Sequence, residues 1–190
     1  MLPAIDVGLM DNHLSAHEGI VSRLQLYLKI AKDRNVTQVL EKQLQVMKNH
    51  VVVMNQLLNP SQQGQVVLPP IPQTTGDNGT EAPVNAGIQI EDRHITLDAH
   101  STANAMANDN FISASAMKNP VVKKIHSEMA LQQEAIAKMY NQILETNGWV
   151  KSSMAKQQEQ IDTANYYSNI PGTHKMTDQT HFNHQNYEQQ

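Results

Sequence analysis

Between Asn59 and Gln89 the chain carries Pro60, Pro69, Pro70, Pro72 and Pro83 together with Gly64, Gly76, Gly79 and Gly87. No helix survives that density of breakers, because each proline removes an amide donor and crowds the preceding turn. The segment reads as a linker, and it divides the chain into two parts that must each find their own helical partners. Its middle, Gln65 to Pro72, is apolar enough to lie extended along a hydrophobic groove, whereas Gln73 to Ala82 reads as mobile.

Before the linker, Leu14, His17, Val21, Leu24, Leu28 and Ala31 fall on one face of a helix from about Asp11 to Asp33, with Asp11 or Asn12 as its cap. A second stripe runs Val36, Leu40, Gln43, Met47, His50, Met54 and Leu57 and stops at Asn59-Pro60. Only a few residues join the two, which implies an antiparallel hairpin. After the linker, a third helix from about Ile90 to Met117 is rich in Ala, Ser and Asn. Small side chains there permit close helix approach but bury little apolar area. Asn119-Pro120 breaks the chain, and Pro120 suits the first turn of a fourth helix carrying Val122, Ile125, Met129, Gln132 or Gln133, Ile136, Met139 and Ile143. Gly148 suits a left-handed position past its end, with Trp149 folding back onto Leu144 or Tyr140.

These signals predict an all-α fold: a ferritin-like four-helix bundle made of two helical hairpins joined by a long crossover linker. The parts are a first hairpin over 1–59, a linker over 60–89, a second hairpin over 90–150 and a polar tail over 151–190. Within the tail, 151–167 suits a short polar helix ended by Pro171-Gly172, and Thr173 to Gln190 reads as disordered. The two halves also resemble each other weakly. Asp11-Asn-His13 and Asp92-Arg-His94 open them, and His50 and His126 lie on their second helices.

Composition removes several functions. The chain has 190 residues and no cysteine, which excludes disulfide and thiolate-metal sites. A net charge of -4, with Lys118, Lys123 and Lys124 as the most basic spot, leaves no stripe to neutralise a row of phosphates, so nucleic acid is not an expected partner. Val51 to Met54 is the longest apolar run, far below the roughly 20 residues of a membrane span. The first residues have no basic stretch ahead of an apolar core, so no secretory signal is read and cytoplasmic synthesis is expected. Asn and Gln number 37, a bias that suits hydrogen-bonding surfaces or disordered tails more than a tuned catalytic pocket.

Nucleophilic catalysis has no support: cysteine, Gly-x-Ser-x-Gly and a Gly-rich phosphate loop are all missing. A metal reading rests on His13 with His17 and His94 with Asp98 at i,i+4 spacing, plus His50 and His126 on the second helix of each hairpin. Against it, His13, His94 and His126 fall within first turns, where polar side chains cap helices or face solvent, and the Glu-x-x-His of di-iron bundles is lacking. No catalytic, cofactor or metal residues are therefore assigned, and no cofactor is expected. Gln43, His50 and Gln133 read as buried polar residues that fix helix register. Met47, Met54, Met129 and Met139 read as core filling. Tyr166, Tyr167 and Tyr187, with Lys151, Lys156 and the tail glutamines, are accessible candidates for cross-linking, and the tail His174, His181 and His184 have near-metal spacing but read as incidental.

One stretch resembles a known family. Thr102-Ala-Asn-Ala-Met-Ala107, then Lys118-Asn-Pro-Val-Val-Lys-Lys-Ile-His126, then Gln132 to Tyr140, and finally Asn147-Gly-Trp149 reproduce the order of features of the spore coat protein F family. The resemblance covers about sixty residues, from Glu91 to Trp149, and departs from the family at Val150, where an aromatic is frequent. It implies a ferritin-like bundle without an established reaction, made in the mother-cell cytoplasm and deposited in the endospore coat. The partners it implies are other coat proteins. Assembly is expected through exposed helix faces, the Val66 to Leu68 stretch and the tail, with self-association as a further expectation. The other reading kept open is a ferritin-like metal-binding or redox protein with a His-rich interior.

Overall fold

The computed structural model describes residues 1–73, 90–168 and 170–171, and among these every regular element is helical. The helices are α1 (Ala4–Ile30), α2 (Arg34–Leu58), α3 (Asp92–Ala116), α4 (Pro120–Thr146) and α5 (Gln157–Tyr167). The first four belong to a unit spanning Met1–Lys151, and α5 belongs to a second unit that begins at Ser152. The stretches Thr74 to Gln89 and Gly172 to Gln190, with the tail histidines, Tyr187 and most of the expected mobile segment, lie outside the described residues.

Helix starts follow from local chemistry. The Asp33 carboxylate accepts from the N–H groups of Asn35 and Val36, and the Asn119 side chain does the same for Val121 and Val122, so two turns between helices are also two helix caps. Pro120 occupies the first turn of α4, where its missing donor is not needed. At the far end Gly148 adopts φ +64°, Trp149 N–H bonds the Leu144 carbonyl at 2.8 Å and Gly148 N–H bonds that of Glu145 at 3.0 Å. This is a Schellman closure, and Trp149 packs against the apolar cluster that includes Tyr140.

The expected start of α1 at Asp11 is corrected to Ala4, after Pro3. The reason is chemical. The buried face of α1 is Asp6, Met10, His13, His17 and Leu24, in which three of five side chains are polar, so hydrophobic periodicity fades toward its beginning.

Two carboxylates define the topology. Asp6, near the start of α1, accepts from the backbone N–H groups of Lys118 and Asn119 at 2.8 Å each, in the α3–α4 turn. Asp92, the first residue of α3, accepts from Lys32 and Asp33 at 2.8 and 3.0 Å, in the α1–α2 turn. Each hairpin thus satisfies the exposed donors of the other's turn, and α1 and α3 run antiparallel. The bundle is up-down-down-up, and the connection from α2 to α3 has to cross its full length. The first part of that connection is seated: Leu68 is buried, Val66 packs on the same apolar cluster, Ile71 reaches the other, and Pro69 accepts a 2.8 Å bond from Gln132 Nε2.

Asp6 and Asp92 are 86 residues apart, as are Asp33 and Asn119, and as are the first residues of α2 and α4. The internal correspondence therefore runs at that offset. The pairing of Asp11-Asn-His13 with Asp92-Arg-His94 is corrected, because Asp11 lies within α1 rather than at its start. The same offset relates Met47 to Gln133, and these two touch: Gln133 Nε2 donates to Met47 Sδ at 3.0 Å in the buried centre.

Two apolar clusters fill the interior. One contains Leu24, Val36, Leu40, Ala99, Ala103, Ile136 and Tyr140; the other contains Met10, Val53, Met54, Leu68, Val122, Ile125 and Met129. The methionines at 47, 54 and 129 are wholly buried, which fits core filling by flexible side chains. α3 contributes chiefly small residues, Ala99, Ala103 and Ala114, and packs most extensively against α4.

Candidate functional site

Along α1 the residues between the two apolar clusters are His13 and His17, and along α2 the residue between them is His50. His126 joins them from α4, beside Ile125 and Met129. His17, His50 and His126 are 0% exposed and His13 is 5% exposed. Ring centroids lie 5.4 Å apart for His13 and His126, 5.6 Å for His17 and His50, and 6.3 Å for His13 and His17. The expectation that His13 and His126 face solvent or cap helices is corrected. With α1 starting at Ala4, His13 sits well inside its helix, and His126, a full turn and more into α4, faces inward.

The remaining members of the sequence constellation are elsewhere. His94 lies in the first turn of α3, where its Nδ1 accepts from Glu91 N–H at 3.4 Å. Asp98 bridges α3 to α1, 3.3 Å from Arg23 Nε and accepting a 3.0 Å bond from Tyr27 O–H. Four of the six predicted residues converge and two do not.

Each ring is tied by hydrogen bonds. His17 Nδ1 donates to the His13 carbonyl at 2.7 Å, and His126 Nδ1 donates to the Val122 carbonyl at 3.0 Å. His50 Nε2 meets Gln132 Oε1 at 2.9 Å, and His13 Nε2 meets Ser113 Oγ at 2.9 Å. Between the rings, His17 Nε2 and His50 Nδ1 are 3.4 Å apart. His126 Nε2 is buried without a hydrogen-bond partner.

Burial dominates the protonation of this layer. Loss of hydration, reinforced by neighbouring His50, pushes His17 down to about 3. Burial likewise lowers His50 and His126 to about 4 each, the Gln132 and Val122 hydrogen bonds opposing it. His13 is lowered by burial too, and Asp109, within electrostatic reach, opposes it. The layer is therefore neutral near pH 7. Among the described residues no three His, Asp or Glu side chains are placed so that they could hold a metal ion.

A second polar station is equally buried. Tyr140 O–H donates to Gln43 Oε1 at 2.9 Å, and burial raises its pKa. Gln43, His50 and Gln133 are all wholly buried, the positions expected of register-setting polar groups. Asn110 joins them without a sequence signal of its own; it is 0% exposed and its Nδ2 donates to the Met106 carbonyl at 2.8 Å.

One proposed assembly element is corrected by the packing. Leu68 is 9% exposed within the bundle's own core and Val66 packs against the same cluster, leaving only Val67 of that stretch in solvent. Apolar side chains that do face solvent include Phe111 and Ile112 on α3, Val121 and Leu131 on α4, and Val52 on α2. Among the described residues no helix is long and apolar enough to cross a membrane.

Comparison with known proteins places the fold. A solved structure from Bacillus halodurans C-125, provisionally described as a spore coat protein, superposes with a TM-score of 0.66 at 15% sequence identity, covering 82% of this chain and 96% of that one. No family model and no curated protein sequence matches the chain. At that identity the likeness establishes a shared helical-bundle architecture.

Proposed function

We propose that this protein is a non-catalytic structural component of the bacterial endospore coat, made in the mother cell and held in the coat by assembly with other coat proteins. The observation that carries this reading is the architectural match to the Bacillus halodurans protein over nearly that protein's whole length. The order of motifs from Glu91 to Trp149, which resembles the coat F family, supports the same context and the narrower family assignment. Phe111, Ile112 and Leu131 are large apolar side chains about 65% exposed, and they supply contact area for assembly. Exposed Tyr166 and Tyr167, whose rings meet edge-on at 4.9 Å, give the second unit an accessible site for oxidative cross-linking.

The test is an immunoblot on washed mature spores, a coat extract and vegetative cells of the source organism. Signal confined to spores and their coat extract is expected. Equal signal in vegetative cytoplasm overturns the proposal.

A further inference from the structure

The hydrogen-bonded chain through the histidine layer is one proton short. A main-chain carbonyl only accepts, so the 2.7 Å bond to the His13 carbonyl puts a hydrogen on His17 Nδ1 and a lone pair on its Nε2. At the other end, Gln132 Nε2 donates to the Pro69 carbonyl, which turns Gln132 Oε1 toward His50. The hydrogen of neutral His50 is then on Nε2, and its Nδ1 carries a lone pair. The two lone pairs face each other across 3.4 Å in a wholly buried position. A third buried lone pair is on His126 Nε2, whose ring is fixed by the Val122 carbonyl and whose free nitrogen has no partner. His126 lies within electrostatic reach of both other rings.

Facing lone pairs call for a cation. Histidines that ligate metals hold their outer N–H on a carbonyl or side-chain oxygen and leave the inner nitrogen free, and His17, His50 and His126 each show that arrangement. Ligand nitrogens about 2.0–2.1 Å from a tetrahedral ion are roughly 3.3–3.4 Å from each other, which is the separation of His17 Nε2 and His50 Nδ1. An all-imidazole donor set suits zinc, cobalt, nickel or copper and disfavours magnesium or calcium.

We propose that His17, His50 and His126 bind one borderline-soft divalent ion of the zinc class, with His17 and His50 as the preset pair and the fourth position toward His13. As the side chains stand, no three His, Asp or Glu among the described residues are placed so that they could hold a metal ion, so the site requires a side chain to move. Binding closes the set by rotation of the His126 side chain, which gives up the Nδ1 bond to the Val122 carbonyl and gains the ion as the partner of its unpaired Nε2. The site differs from a carboxylate-bridged di-metal centre in having imidazole donors only, and it stands independently of the coat assignment.

The experiment uses the full chain, stripped with a chelator, dialysed, and titrated with Co(II) and with Zn(II) alone. About one equivalent of Co(II) is expected to bind with the intense visible bands of a tetrahedral site, displaced by Zn(II). At a hundredfold excess over Kd the thermal midpoint should rise by roughly 5–10 °C. His50→Gln and His126→Leu should each abolish the cobalt bands, circular dichroism confirming that they fold; His126→Leu also removes an unpaired polar atom and is the variant expected to fold best. His94→Ala should bind as the parent does. No cobalt bands in the parent overturn the proposal, whether the histidine pair then shows a shared proton by 15N NMR or not. Bands retained in folded His126→Leu and lost in a His174→Ala/His181→Ala/His184→Ala variant overturn it in favour of the tail.

Discussion

Asp6 and Asp92 hold corresponding positions in the two halves, 86 residues apart, and each accepts two backbone N–H groups from the turn of the opposite hairpin. Between them they determine how the hairpins are paired, because a slipped or reversed pairing leaves four turn donors without these acceptors.

Asp6→Ala and Asp92→Ala should each lower stability by about 1–3 kcal/mol, since charge-assisted bonds are lost and the freed donors are left to find water. Asp6 is the more costly, being wholly buried. The two sites are at opposite ends of the bundle, so urea denaturation of the double variant should show additivity within about 0.5 kcal/mol.

Tyr140→Phe should destabilise by about 1–2 kcal/mol, because Gln43, whose Nε2 already lacks a partner, then loses its Oε1 bond too. Tyr140→Phe combined with Gln43→Leu should recover most of the loss, as no polar atom is then stranded. A double variant less stable than Tyr140→Phe alone would show that Gln43 contributes more than its bond to Tyr140.

Acid should unfold the metal-free protein early. The folded-state values of His17, His50 and His126, about 3, 4 and 4, are below the ordinary 6.5, so between pH 6.5 and about 4 the unfolded chain binds protons that the folded chain refuses. Their contribution is complete above pH 6.5 and falls as pH drops, at up to about 1.4 kcal/mol per unit for each histidine, levelling below the folded values. Asp6 near His126 and Asp109 near His13 moderate the fall. Urea midpoints measured with EDTA at pH 7, 6, 5 and 4.5 should decline steeply, and His50→Gln should flatten the slope by roughly a third.

The crossover segment should behave as part of the core. Leu68→Ala should cost about 2–4 kcal/mol, as other buried leucines do. Val67→Ala, at a side chain 63% exposed, should change stability by less than about 0.5 kcal/mol. Equal effects at the two positions in thermal denaturation would show that the segment does not dock in solution.

What the sequence determined by itself is local. The stripe Val36 to Met54 of α2 and the stripe Val122 to Ile143 of α4 are legible because a single 3.6-residue period carries them, and Asn119-Pro120 and Gly148-Trp149 are legible because caps and stops act over a few residues. The connection between α2 and α3 is legible because its prolines forbid a helix. The packing of the helices supplies the non-local part. Asp6 is an unremarkable carboxylate until a turn 112 residues away supplies its donors. His13 and His126 look like capping or surface residues, and His17 and His50 like single polar positions in an apolar stripe, until three helices are packed at one register, because the shared burial, and with it neutrality and the facing lone pairs, belongs to the assembled bundle and to none of its helices alone.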